Sequence, residues 1–408
     1  MQTKKWVAGI AAVALAATLA SCSSSPEPGD SDPIVLSVLG PLSGANADTG
    51  LNIQQGAQVA INQINEAGGV LGRQLAMESK DTAQGAQQAA QAIRDFAAED
   101  KLLFLGELSS ANCLSDAPII EELGGVFVIT TCTNDALTGE NGGEAPFQRT
   151  FRTGATSLQD MIAIYKAIHQ EFPDITDWDI FAFDYVSGRL QWDQFSEGYA
   201  KLGGSIDIAN EYWVPLDQQN YGSQVSALSS GVVGAEKRGL YLGTYGAGTA
   251  SFLQQALPYD FLSQYDVIVN PGSYYPIARN FGGTAPDVWN GYDYNYTAYD
   301  TAENAKFVAD FEKLTGKKPD AWGYQAYLGV LAYAAAIEKA GSADPDAVVA
   351  AMKGISFPSP QGTFTIDATT HQGSANIVLT HTVGNSNAPE GVEVKNFVLV
   401  EYEDTLQP

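Results

Sequence analysis

The chain has 408 residues, of which 45% are hydrophobic and 17% are charged, a composition typical of folded globular proteins. This length exceeds what one hydrophobic core usually supports, so we expect two domains. The 47 acidic residues outnumber the 21 basic ones. This balance argues against nucleic acid and anionic membrane surfaces as partners, because both bind basic patches.

The first 22 residues have the form of a secretory signal. Lys4 and Lys5 precede an apolar run from Trp6 to Ala20, which is too short to span a bilayer. The run leads into Leu19-Ala20-Ser21-Cys22, which resembles the bacterial lipobox and implies that Cys22 becomes the lipidated first residue. An ordinary signal with a chance cysteine is the alternative. Residues 23–33 are polar and predict a flexible tether, so we expect an extracytoplasmic protein anchored to the cell membrane by its lipid.

Strands and helices are predicted to alternate along the rest of the chain. Short apolar runs predict strands at 34–39, 74–79, 102–105, 126–129, 179–183, 206–214, 239–243 and 267–270, followed near the end by 362–366, 377–381 and 394–401. Helices are predicted at 51–67, 84–99, 158–172, 190–202, 220–229, 252–257, 302–314, 322–340 and 346–353, with a further one opening at 109–112. This alternation predicts parallel sheets with helices on both faces.

Two hydroxyl-rich turns follow consecutive strands. Ser109 and Ser110 come after the strand at 102–105, and residues 130–134 (Thr-Thr-Cys-Thr-Asn) come after the strand at 126–129. Open α/β sheets bind ligands at the carboxyl ends of their strands. Free backbone N–H groups at a helix start, together with serine hydroxyls, suit a small anion such as a carboxylate. The alternative is that these residues only cap helices.

Cys113 and Cys132 lie in the same two segments. Export permits a disulfide, and neighbouring strand ends can bring two Cα atoms within the roughly 4.4–6.8 Å that the bond requires. We predict a Cys113–Cys132 bridge, with two buried free thiols as the alternative.

Catalytic and metal signatures are weak. The three histidines, His169, His371 and His381, are far apart and have no metal-ligand spacing. No Gly-x-Ser-x-Gly motif surrounds a serine. We therefore expect no metal, no cofactor and no enzymatic activity, and an extracellular hydrolase is the least favoured function class.

Six segments form a distinctive series along the chain: Gly40-Pro41-Leu42-Ser43-Gly44, the helix from Gly56 to Asn65, Gly68 to Arg73, Leu242 to Gly246, the pattern from Phe307 to Tyr327, and Gln361 to Phe364. Together they resemble the branched-chain amino acid and amide binding proteins of ABC importers. Each segment alone is unspecific, and their order and spacing over residues 34–400 carry the resemblance.

The resemblance implies a type I periplasmic-binding fold. This is an α/β fold of two Rossmann-like lobes with parallel central sheets, joined by three crossings. It divides the chain into a first lobe of residues 34–152 and 294–360 and a second lobe of residues 153–293 and 361–408. The ligand would lie between the lobes, and hinge closure would be read by permease subunits. A ligand-sensing receptor of the same fold is the alternative function.

The family pattern also assigns candidate ligand-binding positions. In the first lobe, carboxylate-binding positions fall on Ser109 or Ser110, Thr131 and Thr133, and the first loop contributes Thr49. In the second lobe, the cleft aromatics fall on Tyr185 and Tyr245.

One position departs from the family pattern. Amino-acid binders carry an acidic residue after the strand at 267–270, whereas this chain continues Pro271-Gly272-Ser273-Tyr274. A buried ammonium without a carboxylate partner is costly, unless Asp48 or Asp184 replaces the missing acid. The ligand is therefore an amino acid, an amide, a urea-like compound or a carboxylate. Ser273 and Tyr274 are added as candidate contacts.

Two aromatic segments could either contact a ligand or pack within the protein. Tyr274 and Tyr275 suit an aromatic or larger apolar ligand, and packing at the lobe surface is the alternative. Residues 289–296, which include four aromatic side chains, are interpreted as a packed segment near the hinge.

Overall fold

The computed structural model describes residues 32–83, 85–139 and 142–406. The predicted signal, Cys22 and most of the tether lie outside these residues. The strands are β1 Ile34–Gly40, β2 Leu75–Asp81, β3 Leu103–Gly106, β4 Val126–Ile129, β5 Thr150–Arg152, β6 Asp177–Phe183, β7 Asp207–Val214, β8 Arg238–Gly243, β9 Val267–Asn270, β10 Val288–Tyr292, β11 Ser356–Ser359, β12 Gly362–Thr365, β13 Ile377–Gly384 and β14 Val392–Val400. The helices are α1 Ala47–Glu66, α2 Ala86–Ala97, α3 Ser110–Glu122, α4 Ser157–Glu171, α5 Val186–Lys201, α6 Gly222–Val232, α7 Gly246–Ala256, α8 Tyr275–Phe281, α9 Ala302–Thr315, α10 Ala321–Ala340 and α11 Pro345–Met352.

The first lobe is built on a five-stranded parallel sheet in the order β2-β1-β3-β4-β5. Strands β3 and β4 read LFLG and VFVI and are buried at every position, as expected where helices cover both faces. Helix α10 packs along α1 at close range. A Cβ atom at Gly56 would lie only 1.8 Å from the carbonyl oxygen of Gly323, so this contact requires glycine on α1.

The second lobe is built on a seven-stranded sheet in the order β14-β13-β10-β9-β8-β6-β7. Strands β6 to β10 are parallel, whereas β13 runs antiparallel to both β10 and β14. The predicted α/β fold with parallel central sheets is confirmed, and two antiparallel strands extend the second sheet at this edge. A short turn joins β13 to β14, and such a connection can only link antiparallel neighbours.

The chain passes between the two sheets three times, as predicted. It crosses after β5, again after β10, and finally between the β11–β12 hairpin and β13. One oxygen of Asp293 accepts hydrogen bonds from the backbone N–H of Ala155 (3.0 Å) and from Gln325 (2.6 Å). The Gln372 amide donates to the Gly154 carbonyl (2.7 Å). Side chains from the second and third crossings therefore bond to the first crossing.

The observed helix starts differ from those predicted at the cleft. Helices α1, α5 and α7 begin at Ala47, Val186 and Gly246, rather than at residues 51, 190 and 252. Their first turns have the sequences ADTG, VSGR and GAGT, which contain few large apolar residues and therefore lack the apolar period that predicts a helix. The sequence pattern does not predict strand β10, because its sequence VWNGY contains asparagine and glycine, which are depleted in strands.

Candidate ligand-binding cleft

The carboxyl ends of strands from both sheets converge on a cavity of about 40 Å³. The first lobe contributes the turns after β3 and β4 and the start of α10. The second lobe contributes the turns after β6, β8 and β9, the end of β10 and one residue of α5. The lining residues are Leu108, Ser110, Thr131, Thr133, Tyr185, Gln191, Gly243, Thr244, Tyr245, Pro271, Gly272, Ser273, Tyr292 and Trp322.

Six of the nine candidate ligand contacts line this cavity. They are Ser110, Thr131, Thr133, Tyr185, Tyr245 and Ser273. Thr49 instead lines a second cavity next to the cleft. Ser109 is buried immediately before α3 and does not line the cavity.

Tyr274 is placed differently from its predicted role. Its side chain is fully buried in the apolar core of the second lobe, and its hydroxyl donates to the Pro286 carbonyl (3.1 Å). Its neighbour Ser273 lines the cleft. The interpretation of Tyr274 as a cleft residue is therefore corrected to a core residue, because the turn after β9 directs these consecutive side chains to different places.

Ser110 is set up as a hydrogen-bond donor to a ligand. It is the first residue of α3, and its Oγ accepts hydrogen bonds from the backbone N–H groups of Thr133 (3.2 Å) and Asn134 (3.3 Å). A hydroxyl has two acceptor lone pairs and one donor hydrogen. Since both lone pairs are engaged, only the hydrogen remains for the cleft, and it favours an acceptor such as a carboxylate oxygen.

Thr131 has the opposite hydrogen-bonding role to Ser110. Its hydroxyl donates to the Glu107 carbonyl and lies 3.3 Å from the Leu108 carbonyl. The hydrogen is thus used within the protein, and the Thr131 oxygen can only accept from a ligand. The cleft therefore offers a donor at Ser110 and an acceptor at Thr131.

Tyrosine side chains form much of the cleft wall. Burial raises the pKa of Tyr185 and of Tyr292 well above the usual range. Both phenols therefore stay protonated at neutral pH and can donate hydrogen bonds. The rings of Tyr185 and Tyr245 meet edge to face with centroids 6.3 Å apart, and Trp322 adds an apolar surface from the first lobe.

No acidic side chain lines the cleft cavity among the described residues. Asn270, at the end of β9, is committed to the second lobe through hydrogen bonds to the carbonyls of Leu242 (2.6 Å) and Thr244 (2.8 Å). Asp184 is exposed and pairs with Arg189 (2.9 Å). Asp48 borders the second cavity. Neither aspartate lines the cleft cavity itself.

The sequence matches the Periplasmic binding protein family over residues 33–387. The chain belongs to this family. This periplasmic binding protein is 26% identical to the leucine-, isoleucine-, valine-, threonine- and alanine-binding protein of Pseudomonas aeruginosa over 342 residues, which cover 82% of this chain and 86% of the relative.

Two solved structures illustrate the likeness in fold. A solute-binding protein of an ABC transporter from R. palustris, in complex with benzoate, superposes with a TM-score of 0.77 at 17% identity, covering 90% of this chain and 97% of that one. A leucine-binding protein from Thermotoga maritima superposes with a TM-score of 0.74 at 20% identity, covering 91% and 99%. The predicted family and fold are thereby confirmed.

Arg152 of this periplasmic binding protein supports the turn that carries Thr133 and Asn134. The side chain is fully buried at the end of β5, and its guanidinium donates to the carbonyls of Thr133 (3.3 Å) and Asn134 (2.5 Å). Burial lowers its pKa to about 10, against the opposing effect of three nearby aspartates. Arg152 is therefore charged at neutral pH. Sequence reasoning missed it, because no local motif links β5 to this turn.

A disulfide joins the two turns of the first lobe. The Cys113 and Cys132 sulfur atoms are bonded, with the two Cα atoms 6.5 Å apart. Cys113 lies in the first turn of α3, and Cys132 lies between Thr131 and Thr133. The bridge thus connects the helix that carries Ser110 to the segment that carries both threonines.

Two further properties concern only the part of the chain that the structure describes. There, no group of three or more His, Cys, Asp or Glu side chains is arranged to hold a metal ion. In the same residues, no helix combines the length and the apolar character that crossing a membrane requires.

Proposed function

We propose that this protein is the extracytoplasmic solute-binding component of an ABC import system and that its ligand is an organic acid without an ammonium group. The ligand carboxylate would accept hydrogen bonds from Ser110 and Thr133. The remainder would contact Tyr185, Tyr245 and Trp322. The single observation that carries this proposal is a cleft with a committed hydroxyl donor but, among the described lining residues, no acidic side chain.

Related proteins bind both classes of ligand that are considered for this cleft. The relative from Pseudomonas is named for amino acids, whereas the R. palustris structure holds benzoate. An amino acid brings an ammonium, whose burial without a carboxylate partner is costly. Benzoate brings only a carboxylate and an apolar ring, which match the donor and the aromatic walls of this cleft.

A branched-chain amino acid is the second candidate ligand. One observation favours it: the Thr131 hydroxyl is restricted to accepting hydrogen bonds. An ammonium could donate to this oxygen and to nearby carbonyl groups. This candidate needs neither Asp48 nor Asp184 in the cleft.

Ligand binding would be coupled to transport through lobe closure, which permease subunits would sense. We place the lobes at residues 34–152 with 294–365 and at residues 153–293 with 366–408, which moves the boundary predicted at residue 360 so that the β11–β12 hairpin stays in one lobe. The hydrogen bonds between the lobes include two near the cleft: Asn134 donates to Ser187 (3.1 Å), and the Ala247 N–H donates to Asn46 (3.0 Å). Both bonds form when the lobes approach each other, so they would stabilise the closed arrangement. The protein itself would carry out no chemical reaction.

A thermal-shift experiment tests the ligand class. Benzoate and benzamide form a matched pair that differs in the charge of one group, and leucine provides the amino-acid alternative. A ligand at about 100 times its Kd should stabilise the protein by about 2.7 kcal/mol. We expect stabilisation by carboxylates and none by benzamide. Stabilisation by leucine alone would instead select the second candidate.

The lipid anchor has a separate test. We propose that Cys22 carries the lipid and that the substitution Cys22→Ser moves the protein from the membrane fraction to the soluble fraction. Ser24→Ala, a substitution in the predicted tether, provides the control and should leave fractionation unchanged. A Cys22→Ser protein that stays with membranes would contradict the lipobox interpretation.

A further inference from the structure

A second and larger cavity lies between the lobes beside the ligand-binding cleft. It measures about 270 Å³ and is bounded by the start of α1 and Lys317 from the first lobe, and by α7 and α8 from the second. Trp322 is the one described residue that lines both cavities. Tyr245 of the cleft and Gly246 of the second cavity are also consecutive in the chain, so the two spaces adjoin.

Because the two cavities differ in size, they would hold different parts of a ligand. The 40 Å³ of the cleft corresponds to about three water-sized positions, so a long ligand would need space beyond it. The 270 Å³ of the second cavity corresponds to about twenty such positions. With the lobes as they stand, an elongated ligand held by Ser110 and Thr133 would extend past Trp322.

The charge in the second cavity points to a second anion. Arg279 and Lys317 line it, against one acidic residue, Asp48, whereas the whole chain has a net charge of −26. Arg279 donates to the Lys318 carbonyl (3.3 Å) and lies 4.0 Å from Glu390.

The second cation of this cavity, Lys317, and the apolar residues of its wall are also suited to such a ligand. Lys317 is exposed and has no ion-pair partner within 4.0 Å among the described residues. The remaining wall includes Pro276, Ile277 and Phe281, which provide an apolar surface in the same cavity.

We propose that the second cavity is a ligand subsite that holds the distal anionic group of an elongated dicarboxylate with an apolar middle. The proximal carboxylate would bind Ser110 and Thr133, the middle would pack on Trp322 and Ile277, and the distal carboxylate would meet Lys317 and Arg279. This inference rests on the proposed function, since it assumes a carboxylate in the cleft.

The test compares linear α,ω-dicarboxylates of increasing length with their monomethyl esters by titration calorimetry. Each ester keeps the length of its parent acid and removes one charge. For the length that spans both cavities, we expect the dicarboxylate to bind at least tenfold more tightly than its ester. The substitution Lys317→Ala should reduce this ratio to about twofold or less while leaving the ester affinity unchanged.

Two controls separate the possible outcomes. Lys313→Ala removes an exposed lysine of α9 outside both cavities and should preserve the ratio. Arg279→Gln should act in the same direction as Lys317→Ala, although its bond to the Lys318 carbonyl gives it a structural role as well. Equal affinity for acids and esters would overturn the inference while the proposed function stands. Binding of amino acids but of no simple carboxylate would overturn both.

Discussion

Ser109 and Ser110 are adjacent, but only Ser110 lines the cleft. The substitution Ser110→Ala removes the ligand donor and leaves the N–H groups of Thr133 and Asn134 without their acceptor. We expect ligand affinity to fall by about 1–3 kcal/mol, or roughly fivefold to 150-fold. Ser109→Ala is the matched control and should bind the ligand normally in the same calorimetric titration. Equal losses in both variants would contradict the assignment.

Asp116 of α3 makes stability depend on pH. Burial and then the proximity of Glu107 raise its pKa from 3.8 to about 8. Because the folded state binds this proton more tightly than the unfolded state, the contribution is fully present below about pH 4 and is lost as pH rises through 8. Asp116→Asn removes this dependence. We expect its melting temperature, relative to the unsubstituted protein, to rise progressively from pH 5 to pH 8.

The control for this experiment is Asp217→Asn, which removes an exposed carboxylate. Its melting temperature should follow that of the unsubstituted protein at every pH. If Asp116→Asn shifts the melting temperature by the same amount throughout the range, Asp116 does not titrate between pH 5 and pH 8 in the folded protein.

The residues around the cleft differ in how far the sequence predicts them. Ser110, Thr131 and Thr133 follow apolar runs that are recognisable as buried strands, so the topology of a parallel sheet brings them together. Tyr292 and Trp322 reach the same cavity from β10 and α10, and no local pattern marks them. Their roles depend on how the two lobes face each other, which spacing along the chain does not encode.

At the scale of elements, the disulfide ties α3 to the segment after β4. Cys113 and Cys132 are separated by 19 positions, and a bridge closing a loop of that size stabilises by about 3 kcal/mol in the chain-entropy model. Reducing agent should therefore lower the melting temperature. The double variant Cys113→Ser/Cys132→Ser should melt at the reduced value and show no response to reductant. A reductant effect on the double variant would assign the change to another cause.

Elements were predicted well where local sequence determines them and poorly where tertiary packing does. Strands β3 and β4 are continuous apolar runs and were found within one residue of their bounds. Strand β5 has only three residues and pairs with β4 alone, so its periodicity is too short to detect. Helix α8, of seven residues, was missed for the same reason.

At the scale of the whole molecule, the two lobes form the site jointly. Donor groups of the first lobe and aromatic groups of the second share the cleft, while the hydrogen bonds of Asp293 and Gln372 fasten the crossings that connect them. Affinity should therefore depend on groups that stabilise lobe approach without touching the ligand.

Ser187 tests this coupling. It is buried at the start of α5, lies outside the lining of the cleft, and accepts a hydrogen bond from Asn134 across the lobes (3.1 Å). The substitution Ser187→Ala removes this bond from the closed form only. We expect ligand dissociation, measured by stopped-flow fluorescence, to accelerate by about two- to tenfold, corresponding to roughly 0.5–1.5 kcal/mol.

The control on the same helix is Ser196→Ala, whose hydroxyl donates to the Asp193 carbonyl within the second lobe (3.1 Å). Because that bond is independent of lobe approach, dissociation should be unchanged. An unchanged rate in Ser187→Ala would mean that the bond between Asn134 and Ser187 does not contribute to closure. A slower association rate with normal dissociation would place the effect in the open form instead, since the strength of the closed contact governs how fast a bound ligand leaves.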